Sequence, residues 1–423
     1  MLNKNNEREL AYLVQVEDIT PMNADRLECA HIGGWHCVVG KGEFHIGDPA
    51  VYFEIDSQLP DVEPFSSMDF LRSKKFKIKS QKIRGEISQG LLMPVTAFGW
   101  AIYNDGIKNR NGKDAVSVLE VTEDNRRIFY NLDDESRFLT QRLGVTYADP
   151  GDNSRKSSGP DKYKRMAQRH PNIFKKPWAK WFMRRAWGRK VMFFFFGKKK
   201  DKKSSWPSWV VKTDEERIQN CAWILAKPQE WIATEKIDGT STTFTLYGYG
   251  RKQQFLVCSR NVVFDKPDKK CYYETNVYTE MAEKYNMEEK MKAMFDQARL
   301  ANKDVLFLTI QAETYGAGVQ KRDYGLKDHQ MAIFNIIWGY KDGHTERLNP
   351  IIGADVAKNN GLPYVPVIGQ MSLPTSCEDV LAIAESAPSM VDGGMREGIV
   401  FRSLDGVQSF KAVSNAFLLK YHG

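Results

Sequence analysis

Thr234-Glu235-Lys236-Ile237-Asp238-Gly239-Thr240-Ser241 is the stretch on which the reading of this chain turns. A lysine stands two residues before an Asp-Gly turn, with Trp231-Ile232-Ala233 before it and Thr242-Thr243-Phe244-Thr245-Leu246-Tyr247 after it. Apolar and β-branched runs on both sides of a turn predict a strand that delivers Lys236 to the mouth of a sheet, a placement that suits a nucleophile. Lysine attacks as the free amine, and an ordinary pKa of about 10.4 keeps it protonated at neutral pH, so desolvation or cationic neighbours are needed. Taken alone, Lys-Ile-Asp-Gly also describes a solvated hairpin turn.

Working outward toward the C-terminus, polar groups recur at strand ends. Ser259-Arg260-Asn261 follows the strand Phe255-Leu256-Val257-Cys258, and Glu313-Thr314-Tyr315-Gly316-Ala317-Gly318-Val319-Gln320 follows a buried strand expected at 305–312. Phe334-Asn335-Ile336 lies on a strand expected at 331–337. Arg396-Glu397-Gly398-Ile399-Val400 and Ser409-Phe410-Lys411-Ala412-Val413 open and close a last strand pair. Helices are expected at 279–300 and 379–385, and another over 212–220, with Thr213 as its N-cap and acids in its first turn. This is an α+β pattern with a mainly antiparallel core.

In order, these stretches resemble motifs I, Ia, III, IIIa, IV and V of the covalent nucleotidyltransferases, the superfamily of ATP-dependent ligases and RNA-capping enzymes. The chain runs only twelve residues past Lys411, so a C-terminal OB domain is not expected there. With an OB-like module in front and the Glu-x-x-Gly-x-Gly-Val-Gln form of motif III, the resemblance narrows to RNA ligases of the Deinococcus and Naegleria type, sometimes called family 5. It covers roughly 10–98 and 206–421 and implies an antiparallel-sheet nucleotidyltransferase (ATP-grasp-like ligase) core. It also implies ATP and Mg2+ or Mn2+ as cofactors, and RNA carrying 5′-phosphate and 3′-hydroxyl ends, nicked duplexes included, as partner.

The roles implied are specific. Lys236 forms a lysyl-AMP, and Lys411 lies by the α-phosphate, where it would also depress the pKa of Lys236. Asp238 and Glu397 hold metal directly or through water, and Glu313 contacts the ribose or a metal. Phe334 stacks on adenine, Thr234 and Glu235 face the base, and Arg260 meets the RNA 3′-end or a phosphate. One departure is that Val413 stands where related ligases often carry a second lysine, with Lys420 the nearest candidate to replace it. The alternatives are another polynucleotide nucleotidyltransferase, such as a DNA ligase or capping guanylyltransferase, and an RNA-binding protein with an inactive transferase core.

Toward the N-terminus, residues 10–98 alternate short apolar runs with turns at Gly42, Gly47-Asp48, Pro60 and Gly85, which predicts a five-stranded OB-type β-barrel. Pro21 to Glu28 and Lys82 to Gly90 resemble OB modules that bind tRNA in or beside aminoacyl-tRNA synthetases. Seven cations fall within residues 72–84, among them Lys79, Lys82 and Arg84, interleaved with Phe76, Ile78 and Ile83. That spacing predicts a strand with one buried face and one face able to track phosphates. Residues 135–144 read as a short helix ending at Gly144.

The expected organisation is an OB-fold RNA-binding domain over 1–98, a connector over 99–205 and an adenylylation domain over 206–423. Residues 155–203 hold 18 Lys/Arg against two acids, a local +16, while the whole chain of 423 residues carries +8. Cations mixed there with Trp178, Trp181 and Trp187 suit RNA contact or a solvated linker, and less well an anionic membrane. Six scattered cysteines without a Cys-x-x-Cys pair point to a reducing, cytoplasmic compartment. A polar N-terminus and no apolar run near the roughly 20 residues needed to span a bilayer argue against a signal peptide and integral membrane association. A monomer is expected.

Overall fold

The computed structural model describes residues 1–98 apart from 6, then 118–123, 126–131, 135–147, 206–264 apart from 213 and 261, and 276–422, with isolated positions between 173 and 192. Two compact units result: residues 1–148 together with 208–423, and residues 149–207. The basic segment 155–203, Thr213 and Asn261 fall almost wholly outside the described residues. No helix among those described is long and apolar enough to cross a membrane.

The N-terminal module is an OB-type barrel built from short, strongly turned strands. Ala11–Gln15, Pro49–Phe53 and Leu91–Pro94 form one antiparallel sheet, and Asp18–Pro21, Leu27–Ile32 and Trp35–Gly40 a second. The hairpin Gln81–Ile83/Glu86–Ser88 joins the second sheet where Ser88 Oγ accepts from Val38 N and Gln89 N donates to His36 O. Side chains alternate as the pleat demands. Ala11, Leu13, Val51 and Phe53 enter one cluster with Phe65 and Phe98, whereas Tyr12, Trp35 and Tyr52 enter another. Val413 and Leu418 from the C-terminal region complete that second cluster, so barrel and core share a buried seam.

Two expectations in this module change. Residues 72–84 are not one strand: Asp69–Ser73 is helical, Lys75 and Phe76 take φ of +53° and +58°, Lys77 makes an isolated antiparallel bridge to Gln58, and the next strand starts only at Gln81. Phe76 and Ile78 are buried as expected, but the cations on either side of the turn do not form one stripe. The helix expected over 135–144 is a single 3-10 turn, Glu135–Arg137, followed by turns.

The core has two sheets. A five-stranded sheet runs Glu216–Arg217, Ser409–Val413, Gly398–Ser403, Glu230–Lys236, Val367–Ser372, antiparallel except for its parallel edge strand Glu216–Arg217. A six-stranded antiparallel sheet runs Val263–Phe264, Gln254–Cys258, Thr240–Tyr247, Val305–Gly316, His329–Tyr340, Thr345–Arg347. Helices Val277–Lys284 and Met287–Ala301 pack on the second sheet through Met281, Met291 and Phe295, and Cys377–Glu385 packs on the first through Val380 and Ala384. The helix expected over 212–220 is instead the parallel edge strand Glu216–Arg217 and a 3-10 turn, Ile218–Asn220.

Candidate active site

The turn after Lys236 is not a hairpin. Glu230–Lys236 belongs to the five-stranded sheet and Thr240–Tyr247 to the six-stranded one, so Lys236 sits where the chain crosses between them. Backbone contacts fix that crossing. Asp238 N donates to Tyr324 Oη at 2.7 Å, and Gln320 Nε2 donates to Gly239 O at 2.9 Å. A Cβ on Gly239 would stand 2.3 Å from Thr314 O and 2.9 Å from Glu313 Cγ, so only glycine lets the turn lie against the Val305–Gly316 strand.

Three carboxylates surround the nucleophile position. Lys236 Nζ lies 2.7 Å from Glu397 Oε1, and Glu313 and Asp238 also act on it electrostatically. Burial disfavours the Lys236 ammonium, but Glu397 and Glu313 outweigh it and hold the group above the ordinary lysine range. The sequence expectation that Lys411 depresses Lys236 is therefore not met: Glu397 and Glu313 prevail, and Lys236 is a paired ammonium. Burial, with the neighbouring Glu397 and Asp238 carboxylates adding to it, pushes Glu313 up to about 8 despite the pull of Lys236. Asp238 Oδ2 and Glu397 Oε2 are buried without a hydrogen-bond partner, a costly arrangement unless something cationic completes it. Among the described residues no three acidic, His or Cys side chains are close enough together to cage a metal. Two orphaned carboxylate oxygens fit instead an ion that takes one or two protein ligands and fills the rest of its shell with water and phosphate.

Strand alternation sorts the remaining candidates. Thr234, Val400 and Lys411 lie on one rung of the five-stranded sheet, and Thr234 shares the cleft face with Lys236. Glu235 points to the other face, where Ser389 Oγ donates to Oε1 at 2.5 Å and Met390 N to Oε2 at 2.7 Å. Glu235 thus fastens the loop whose Val391 packs in one cluster with Phe334, rather than reaching the cleft with Thr234. Phe334 is the extra residue of a β-bulge: Gln311 pairs with Asn335 and Ala312 with Ile333, leaving Phe334 between them. The bulge turns its ring toward Ile237, Tyr324 and Val365.

Lys411 Nζ lies 2.6 Å from Asp214 Oδ1, and Arg260 Nη2 lies 2.6 Å from Asp214 Oδ2. Val413 is buried under the barrel, and Lys420 is exposed with its Nζ 5.0 Å from the Tyr421 ring. Lys79 lies in the field of Lys321, Lys77 and Lys74. Lys82 is exposed on the hairpin, and Arg84 occupies its turn at φ +51°; among the described residues neither contacts the Lys236 cluster. The site also contains residues that motif reading did not single out: Asp214, Tyr324 and His422, whose Nε2 is 3.6 Å from Asp238 Oδ1. Only Gln320, inside a quoted motif, carried a sequence signal.

Residues 10–95 match an OB-fold domain family model, and residues 229–422 match the RNA ligase family model. Among solved structures, a variant of Naegleria gruberi RNA ligase with ATP and Mn matches at 25% identity and a TM-score of 0.65, covering 98% of this chain and 99% of that one. A second variant with ATP and Mn matches at 26% and 0.66, covering 98% and 100%, and the same ligase with PPi at 25% and 0.64, covering 97% and 98%. No curated protein matches.

Proposed function

We propose that this chain, an ATP-dependent RNA ligase whose RNA ligase-family core follows an OB-fold domain, works through a lysyl-AMP on Lys236 and seals 5′-phosphate to 3′-hydroxyl RNA ends. The observation that carries this reading is Lys236 at the sheet crossing, paired with Glu397 and backed by Glu313 and Asp238.

Lys236 reacts only after losing a proton, and Glu397 Oε1 at 2.7 Å is in position to accept it. The free amine attacks the α-phosphate of ATP, the N–P bond forms and pyrophosphate leaves. The RNA 5′-phosphate then attacks the same phosphorus, returning Lys236 and giving an adenylylated end. Finally the 3′-hydroxyl attacks the RNA phosphate, the phosphodiester forms and AMP departs. One or two of Asp238, Glu313 and Glu397 would hold a divalent ion, Mg2+ or Mn2+, directly and the others through its water shell, and the ion when bound supplies positive charge to the phosphates. Phe334 and the loop fastened by Glu235 would line the adenine slot, with Thr234 facing the base.

Lys411 and Arg260 supply positive charge for the phosphates, and Lys79, Lys82 and Arg84 let the barrel track RNA. This organisation assigns 1–98 to RNA binding, 99–205 to a connector and 206–423 to adenylylation, in a monomer that repairs broken RNA. Joining assays on a nicked RNA duplex, an RNA/DNA hybrid and a single-stranded RNA, each with ATP or GTP, test it. ATP-dependent sealing of an RNA 3′-hydroxyl end supports the reading; sealing only of DNA ends contradicts it.

A further inference from the structure

Two cations meet on one carboxylate beside the cleft. Asp214 places its two oxygens at 2.6 Å from Lys411 Nζ and 2.6 Å from Arg260 Nη2, with its side chain 12% exposed. Arg8, paired with Glu54 and Asp56 on the barrel side of the seam, adds its field at the same carboxylate, and the centroid of the Tyr147 ring is 5.5 Å from the guanidinium carbons of both Arg8 and Arg260. Lys411 lies on the rung of Thr234, two strands away, so its Cα is about 10 Å from that of Thr234 at the usual strand spacing. Asp214 comes from the irregular stretch before the edge strand Glu216–Arg217 and is not part of either sheet.

We infer that Lys411 and Arg260 form a phosphate-binding site that Asp214 keeps closed as an internal anion, and that a substrate phosphate must displace Asp214 before this site engages. The inference rests on the ligase reading and adds to it a residue that competes with substrate. Two charge-assisted bonds made by one carboxylate reproduce the way cations grip a phosphate, as two oxygens on one centre. The cations hold Asp214 well below the usual carboxylate range despite its burial, so the closed form persists through mildly acidic and neutral pH. The competing account makes Asp214 a positioning residue that orders Lys411 and Arg260 for catalysis. The two accounts predict opposite effects of removing the charge.

The test uses the full-length protein in metal-free buffer with inorganic pyrophosphate as the calorimetric probe. Asp214→Asn is expected to bind pyrophosphate at least about tenfold more tightly than wild type, the size of one removed charge-assisted bond. Asp214→Glu is expected to match wild type, and Asp214→Asn with Lys411→Met to lose the gain. Equal or weaker binding by Asp214→Asn overturns the inference. A second measurement needs no variant: hydrogen exchange of residues 208–216 in wild type, with pyrophosphate or with a 5′-phosphorylated oligoribonucleotide. Faster exchange with pyrophosphate alone assigns the displacing group to the ATP tail, and with the oligonucleotide alone to the RNA end. No acceleration with either overturns the inference. A lysyl-AMP formed by the same preparation would then leave the ligase reading standing.

Discussion

At the scale of single residues, the site depends on where charges sit before any substrate arrives. Lys236 is an ammonium locked on Glu397, so the free protein stores its nucleophile in an unreactive form. Glu397→Gln keeps the shape of the side chain but removes both the pairing charge and the proton acceptor. Adenylylation of this variant is expected to fall at least about a hundredfold, in line with the loss of a principal electrostatic group. A rate within threefold of wild type would remove Glu397 from the mechanism. The carboxylates and Lys236 were legible in the sequence because each lies in a motif at a strand end. Asp214 and Glu215 were not. They looked like first-turn helix acids, but they are ion partners of Lys411, Arg260, Arg347 and Arg402, and those cations hold the segment out of a helix.

At the scale of elements, the crossing between sheets is the working part. Gly239→Ala places a methyl 2.3 Å from Thr314 O. Relief of that clash moves Lys236, and an error of about 1 Å in a reacting group costs about a hundredfold in rate. The variant should fold, retain circular dichroism and lose adenylylation by that order; wild-type activity would mean that the turn tolerates displacement. Tyr324→Phe leaves the Asp238 N–H without its acceptor, a loss of about 1–3 kcal/mol for a buried donor, which should appear both as a lower melting temperature and as slower adenylylation. Long strands such as 305–316 and 329–340 were legible because both are dense in apolar residues. The bulge at Phe334 was not, since an extra residue leaves no mark on an apolar run. The break at Lys75-Phe76 was equally hidden, because a left-handed turn made by residues other than glycine has no compositional signature.

At the scale of the whole molecule, barrel and core are tied through a buried ion network. Glu54 is fully buried and meets Arg8 at 2.5 Å, the Met1 ammonium, and Arg217 from the core at 3.8 Å, while Arg217 also reaches Asp56 at 3.3 Å. Burial alone would raise Glu54, but the Met1 ammonium, Arg8 and Arg217 hold it well below the ordinary glutamate range. A carboxylate depressed in the folded state binds fewer protons there than in the unfolded chain. Its stabilisation is therefore present above the unfolded pKa, about 4.3, and is lost as pH falls through the lower folded value. Wild type should lose stability steeply below about pH 4 by urea titration, and Glu54→Gln should flatten that slope while costing about 3–5 kcal/mol near neutrality by stranding two guanidiniums. Parallel curves for the two proteins would contradict the network's role. The barrel itself was legible from its turn spacing. Its union with the core was not, because the partners lie far apart in the chain, as Glu54 and Arg217 do, and neither stretch signals the other.

The central claim is that Lys236 carries AMP. The direct measurement is incubation with α-labelled ATP and Mg2+ or Mn2+, denaturation, and mass mapping of the labelled peptide beside a Lys236→Ala control. The account predicts one AMP per chain on the peptide containing Lys236, absent from the variant and not formed from GTP. Label on another residue, label retained by Lys236→Ala, or a protein that binds RNA and never takes label would contradict it.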